Sequence, residues 1–307
     1  MERAMLEDRL VHLNGEMVPW NRANAHLMSH SFGRGSAIFE VLGFHDTAGG
    51  PAVFRLKDHL DRLFVTAGLL EMELKESRED LRKIVFQTFE ANGLRQGFIK
   101  IIAFYGQIAF GPEPPLEPLH LSVFAIDPTR DLDGPPMPET VSLCLSKWCK
   151  LDPRTVPVKA KVAANYLNGM MSRLEARERG FNNAVMLDTS GHLAEGSTES
   201  VFFVKDGKLV TPAPDGILDS ITRRSVLELA QALEIPTEQK NIGPDFLPTA
   251  EEVFLSGTPM KVLPVHTLEQ RRIEPTPGPL TRRLGQAMAD ICDGESDLFP
   301  DWLERQA

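Results

Sequence analysis

The chain is poor in cysteine, in excess positive charge and in long apolar stretches. Only three of its 307 residues are cysteine: Cys144, Cys149 and Cys292. An odd number without paired metal-ligand spacing excludes a disulfide framework, and the three read as small core residues of a reducing compartment. Apolar runs such as Val201 to Val204 are far too short to span a bilayer. The opening Met1-Glu2-Arg3-Ala4-Met5 has no apolar stretch of signal-peptide type, so the expected location is the cytoplasm, with no membrane partner. Lys and Arg number 33 against 43 Asp and Glu, a net charge of −10 with histidine neutral. A field of that sign repels phosphate backbones, so nucleic acid is not an expected partner. Repeats and low-complexity tracts are also missing. What is present, 42% hydrophobic and 25% charged residues, is a globular composition long enough for one large or two moderate domains. Any anionic ligand must then be held by a local arrangement.

Between Asp8 and Pro19 two short apolar runs flank Asn14-Gly15, residues that tolerate positive φ, which predicts a β-hairpin. Strand-like runs follow at 37–45 and 51–55. From Leu56 to Leu70 the residues Leu60, Leu63, Phe64 and Ala67 recur at helical spacing, with Arg62 at the edge of that stripe. A second helix is expected from Glu76 to Asn92, ended by Gly93, then buried strands at 98–105 and 119–126. Asp127 to Pro138 is polar and rich in Pro and Gly, with no periodicity of either kind. It is the expected linker, 127–138, between an N-terminal α+β domain, 1–126, and a C-terminal α+β domain, 139–307. In the second domain strands are expected at 140–146, 183–188 and 252–255, and across 200–211 with a turn at Asp206-Gly207. Helices are expected at 162–179, at 222–233 ahead of Pro236, and at 280–292.

Three features of the second half carry chemistry. They are Lys161 with Asn165-Tyr166 behind it, Glu195 in Ala-Glu-Gly-Ser-Thr-Glu-Ser, and the turn Ser256-Gly257-Thr258. Singly, each is ordinary: a solvated lysine near a helix start, a turn, a loop after a strand. In order and spacing together they resemble the pyridoxal-phosphate enzymes of fold type IV, the class IV aminotransferases, and most closely the branched-chain aminotransferases. The resemblance covers nearly the whole chain. Its blocks include Leu13-Asn-Gly-Glu-Met-Val-Pro-Trp20, Phe39-Glu40, His59, Arg62-Leu63, Lys161-Val-Ala-Ala-Asn-Tyr166, Glu195-Gly-Ser-Thr-Glu-Ser-Val-Phe202, Ile221-Thr-Arg223 and Glu252-Val-Phe-Leu-Ser-Gly-Thr258.

The resemblance implies a two-domain α+β fold of the D-amino-acid and branched-chain aminotransferase kind, pyridoxal 5'-phosphate as cofactor, no metal, and at least a homodimer. It implies that Lys161 is the catalytic residue, forming a Schiff base with the cofactor aldehyde and then shuttling a proton. Lys159 is the nearest competitor, and the Lys-x-x-x-Asn-Tyr spacing selects Lys161. Glu195 matches the carboxylate that keeps the pyridine nitrogen protonated. Tyr166 matches a hydrogen-bond donor to the cofactor's phenolic oxygen, against the plainer reading of a packed helix aromatic. Ile221 and Thr222 open a helix whose free amides suit a phosphate, with Arg62 and Thr258 as further phosphate ligands. Taken alone, Thr222 reads as an N-cap and Arg62 as a surface ion pair. Glu199 is assigned to structural hydrogen bonding.

Departures from the family pattern fall on the substrate side. The branched-chain family has a tyrosine and an arginine where this chain has Phe98 and Lys100, and an alanine where it has Pro259, after Gly257-Thr258. Phe98 has no hydroxyl and Pro259 no amide hydrogen to offer a carboxylate. Arg34 and Lys100 are the cations that could rebuild a carboxylate site, and Lys100 lies inside an apolar strand. The expected reaction is ping-pong exchange of an amino group between an amino acid, branched or otherwise hydrophobic, and a 2-oxo acid such as 2-oxoglutarate. The apolar Phe32, Phe98 and Met260 motivate that substrate class. Alternatives are a D-amino-acid or R-amine transaminase, a lyase similar to aminodeoxychorismate lyase, and a catalytically silent cofactor-binding protein.

Overall fold

The computed structural model describes residues 6–133 and 136–306. They form two compact units. The first takes the chain to Pro136, the segment Ala160–Ala164 and the chain from Ile291 onward, and the second takes Met137–Lys159 and Asn165–Asp290.

The first unit opens with β1 (Leu10–Leu13) and β2 (Glu16–Pro19), joined by Asn14 and Gly15 at φ of 50° and 95°. Both residues accept that left-handed backbone cheaply, so the hairpin closes in two residues. A short helix α1 (His30–Arg34) is capped by Ser29 and ended by Gly35 at φ 67°. Strands β3 (Ile38–Thr47) and β4 (Gly50–Phe54) lead to α2 (Leu56–Leu69). Ser77 and Asp80 form a capping box at the start of α3 (Arg78–Ala91), and β5 (Gly97–Phe104) and β6 (His120–Ile126) follow. With the late strand Leu303–Glu304 these make one antiparallel sheet, ordered Leu303–Glu304, β4, β3, β5, β6, β1, β2.

Strand alternation sorts this sheet into two chemically different faces. Ile38, Leu42, Phe44, Ile99, Ile101, Val123 and Ala125 pack with Leu60, Leu63, Leu81, Val85, Phe86 and Phe89 of α2 and α3. Each such side chain contributes roughly 1.5–3 kcal/mol by leaving water. On the other face lie Phe39, Val41, Phe98, Lys100, Ile102 and Phe124, half-buried except for Lys100, which is exposed.

Residues 160–162 run along the edge of β3, through a bridge from Ile38 to Val162 and a bond from the Phe39 amide to the Lys161 carbonyl at 3.1 Å, and a 3-10 turn, Ala163–Asn165, follows. The helix expected from Val162 therefore starts four residues later. The amides of Ala163 and Ala164 donate to the carbonyls of Ala37 and Gly35, at 2.8 and 3.0 Å, which holds this segment against the start of β3.

The second unit runs β7 (Val141–Leu145), α5 (Tyr166–Glu178), β8 (Asn183–Leu187), β9 (Leu193–Gly196), β10 (Ser200–Lys205), β11 (Lys208–Pro212), α6 (Ile221–Ala232), β12 (Thr237–Lys240), β13 (Glu252–Ser256), β14 (Leu263–Leu268), β15 (Arg271–Arg272) and α7 (Pro279–Cys292). The last two residues of α7 are counted with the first unit. Its sheet is mixed, ordered β12, β11, β10, β13, β14, β7, β8, β9, with β15 on β14. The β11/β12, β14/β7 and β7/β8 pairs are parallel. Leu143, Val185, Phe203, Val253, Leu255 and Val265 lie in its core. Among the described residues no helix is long and apolar enough to cross a membrane.

The stretch 127–138 differs from a plain linker, and its residues 134 and 135 lie outside the described residues. Asp127 caps a single turn, α4 (Pro128–Asp131), and Asp131 is buried against Arg9 of the first unit, with Arg9 Nε 3.0 Å from Asp131 Oδ2. The structure also returns 160–164 and 291–306 to the first unit, where the sequence reading placed all of 139–307 in the second. Polar composition hid the α4 turn because its packing rests on an ion pair rather than an apolar stripe. Asp131→Ala leaves the Arg9 guanidinium buried without its carboxylate, so urea denaturation should show a loss of roughly 3 kcal/mol. A loss below about 0.5 kcal/mol would mean the segment behaves as a solvated linker after all.

Candidate active site

The structure sorts the expected site residues between the two units. Arg34, Arg62, Phe98, Lys100 and Lys161 belong to the first, and Tyr166, Glu195, Ile221, Thr222, Gly257, Thr258 and Pro259 to the second.

In the first unit Lys161 is held from its backbone outward. Its amide donates to Thr66 Oγ1 at 3.1 Å and its carbonyl accepts from Phe39. The half-buried side chain sets Nζ 4.8 Å from the centre of the Phe39 ring. Lys159, the competitor two residues back, is exposed. Lys100 Nζ stands 5.4 Å from the same Phe39 ring, so two ammonium groups meet one aromatic side chain on the open face of the sheet. Lys100 reaches that exposed position although its strand is apolar, because alternation points it away from the helices.

Phe39's neighbour Glu40 points to the opposite face and is fully buried. It accepts from Arg62 Nε and Nη2, both at 2.7 Å, and pairs with His59 Nδ1 at 2.7 Å. Burial pushes the Glu40 carboxyl up, but the Arg62 charge and the hydrogen bonds of Arg62 and His59 outweigh it and hold the carboxyl at about 2. Arg62 is thus a buried rather than a surface ion pair, with one edge of its fork taken by Glu40. His59 and Arg62 lie three residues apart on one helix face, a pairing legible in the sequence, whereas Glu40 as their partner needs the fold.

In the second unit Glu195 lies on β9, paired with Met186 of β8, not in a turn. Its Oε1 is 2.6 Å from Lys150 Nζ, a contact no motif announces. Tyr166 is the first residue of α5 and is half-buried. Ile221 and Thr222 are the first two residues of α6 and are buried. The cap is Ser220, not Thr222: Ser220 Oγ accepts from the Arg223 amide at 3.2 Å. That leaves the Ile221 and Thr222 amides as donors at a helix start. Between β13 and β14 the Gly257 amide donates to the Met260 carbonyl at 3.1 Å, Thr258 is half-buried and Pro259 exposed.

Two buried polar atoms beside these segments have no hydrogen-bond partner, Arg223 Nε next to Thr222 and Ser256 Oγ next to Gly257. Such orphans are costly when nothing meets them, and a phosphate with its waters is a group that could. Glu199 is structural as expected, holding Arg173 and, at 3.0 Å, Asn183. Arg34 is exposed and donates to the Phe110 carbonyl at 3.2 Å. Phe32 is exposed on α1, and Met260 packs against the second unit's core, so no single unit gathers the apolar trio Phe32, Phe98 and Met260. Among the described residues no group of three His, Cys, Asp or Glu side chains could hold a metal ion.

The chain matches the family described as amino-transferase class IV over residues 37–268. It is similar to the branched-chain-amino-acid aminotransferase of Escherichia coli (strain K12), 32% identical over 295 residues that cover 95% of this chain and 96% of that one. The protein of the same name from Pseudomonas aeruginosa is 30% identical over 296 residues, 96% of each chain. Among solved structures, the Escherichia coli branched-chain amino acid aminotransferase aligns with a TM-score of 0.92 at 30% identity, over 97% of this chain and 99% of that one. The branched-chain amino acid aminotransferase from Thermobaculum terrenum in its PLP form aligns with a TM-score of 0.88 at 28% identity, over 97% of this chain and 98% of that one.

The Glu40 cluster has a pH signature. A carboxyl lowered from 4.5 to about 2 in the folded state stabilises the fold above pH 4.5, by roughly 3 kcal/mol, and that stability is lost as pH falls toward 2. Urea stability of the wild type should therefore fall more steeply across that window than that of Glu40→Gln. Parallel curves for the two proteins would show that Glu40 titrates normally.

Proposed function

This chain belongs to the class IV aminotransferases, pyridoxal-phosphate-dependent transaminases of fold type IV, and from that membership we propose the amino donor and the residue roles. The donor is an amino acid with a branched or otherwise hydrophobic side chain, and the acceptor a 2-oxo acid such as 2-oxoglutarate. One observation carries this reading: the Lys161 ammonium lies over Phe39, on a sheet face that also carries Val41, Phe98, Ile102, Phe124 and the Lys100 ammonium. That surface suits an apolar side chain and offers one cation to a carboxylate. Similarity to the branched-chain-amino-acid aminotransferases of E. coli and P. aeruginosa supports the same donor class.

The residues fit the cofactor. Arg62 of the first unit and the Ile221 and Thr222 amides with Thr258 of the second would be its phosphate ligands, and Glu195 Oε2 would accept the pyridine N–H. Tyr166 donates its hydroxyl to the phenolic oxygen. When bound, pyridoxal phosphate supplies an aldehyde carbon to receive the amino group and a ring that draws off the electron pair left on the donor's α-carbon. Lys161 Nζ takes the proton from that α-carbon and returns it to a neighbouring carbon, a transfer its anchored backbone keeps in register. Phe39 and its apolar neighbours exclude water around the amine. Pro259 lacks an amide hydrogen and the Gly257 amide is engaged by Met260, so Lys100, and Arg34 once released from Phe110, receive the substrate carboxylate.

The functional form is a homodimer or higher homo-oligomer. Support comes from the large apolar side chains that the first unit leaves in water: Phe32 at 68% exposure, Phe110 at 82% and Leu116 at 100%. Three free thiols agree with a cytoplasmic location.

Lys161→Ala should lower turnover of L-leucine with 2-oxoglutarate by roughly a thousandfold or more while the melting temperature holds, and Lys159→Ala should leave turnover intact. Unchanged activity in Lys161→Ala would show that another lysine does the work. In a panel of L-amino acids, D-amino acids and R-amines, activity with D-alanine and none with L-leucine would overturn the donor class but not the cofactor.

A further inference from the structure

Lys150 belongs to no motif and enters through geometry alone. Its Nζ is 2.6 Å from Glu195 Oε1, and the two side chains are only 14% and 10% exposed. The Lys150 amide is fixed as well, donating to the Leu187 carbonyl at 2.8 Å beside the end of β8. Glu195 Oε2 accepts no hydrogen bond from any described residue, and it is not among the sealed, orphaned atoms of the chain. One oxygen of the carboxylate is held and the other is open.

The remaining charges around β9 are accounted for. Arg223 acts on Glu195 through space without touching it. Glu199, beyond the turn toward β10, is engaged by Arg173 and Asn183. Asp188 and His192, on the turn from β8, face each other at 3.6 Å. Lys205 of β10 is drawn to Asp206 and Glu251. Lys150 is the only described cation in contact with Glu195.

We propose that Lys150 is a positioning residue for Glu195, holding Oε1 so that Oε2 stays available to the pyridine N–H. The proposal rests on the reading of Glu195 given above. Removing the lysine would leave a buried carboxylate without its paired charge, and burial favours the protonated form, which cannot accept from a ring N–H. A lysine ammonium is a compact charge that holds one oxygen and leaves the other to the ring. Its cost is that a neutral Lys150–Glu195 pair attracts the ring proton less than a bare carboxylate would.

The test compares holoenzymes of the wild type, Lys150→Met, Lys150→Gln, Lys150→Arg and Glu195→Gln between about pH 5 and pH 8. It follows the visible absorbance of the bound cofactor, its rate of release on dilution, kcat and KM. In Lys150→Met and Lys150→Gln the acid limb of kcat should move up by about one pH unit. Cofactor release should become about tenfold faster at the acid end than at the alkaline end, and Lys150→Arg should restore both toward wild type. A packing role alone would lower the melting temperature without moving the acid limb. If Lys150→Met does not fold, Lys150→Gln decides. Wild-type acid limbs and release rates in the folded Lys150 variants, beside a clear defect in Glu195→Gln, overturn the proposal alone. Unchanged absorbance and kcat in Glu195→Gln overturn the reading of Glu195, and this proposal with it.

Discussion

The buried carboxylate of Glu40 is the constraint on which the first unit's chemistry depends. Because side chains alternate along β3, Phe39 and Glu40 must face opposite sides of one sheet. Phe39 turns to the open side and meets Lys161, while Glu40 turns to the helical side and fixes Arg62 and His59. A one-residue slip of β3 would exchange the two, putting a carboxylate beside the amine and an aromatic ring beside the guanidinium. The register that buries Ile38, Leu42 and Phe44 is therefore the register that separates the charges correctly. Apolar packing selects it, and in the slipped register Arg62 and His59 would be buried without their carboxylate.

An acidic protein that handles anions needs positive potential delivered locally, and each unit delivers it in its own way. The first unit offers a guanidinium braced by a carboxylate and an exposed ammonium on an apolar face. The second offers backbone, a helix start whose first amides are free because Ser220 caps one step earlier. Neither device changes the net charge of −10, and neither depends on it. Local dipoles and short-range pairs outweigh a diffuse surface charge that salt screens over about 10 Å.

Much of the fold was legible in the sequence where a local rule acts alone. The Asn14-Gly15 hairpin, α2, α3 and α6 follow from turn chemistry, apolar spacing and caps. What escaped was set by tertiary partners. β9 is four residues with a glutamate in the middle, β12 is wholly polar, and β14 carries Pro264, so none has the signature of a strand. Each is a strand because neighbours supply the hydrogen bonds. The start of α5 moved because Val162 bridges to Ile38 of β3, a partner 124 positions away that no local rule reveals. For the site, the order of motifs pointed to Lys161, Glu195 and the α6 start. Buried partners such as Glu40 for Arg62 and Lys150 for Glu195 lie 22 and 45 positions away along the chain, and only folding reveals such pairs.

Five residues, 160–164, belong to a sheet whose other members lie at least 34 positions away from them in one direction or 139 in the other, with chain of the second unit attached at both ends. No single cut in the gene yields the first unit whole, because a fragment ending near Pro136 lacks Lys161 and one beginning there lacks the sheet it leans on. The two halves of this protein are consequently not exchangeable modules. Recombination between relatives at the Pro-rich stretch would pair a lysine segment from one parent with a β3 edge from the other, so the contact between 160–164 and β3 must be inherited as a unit.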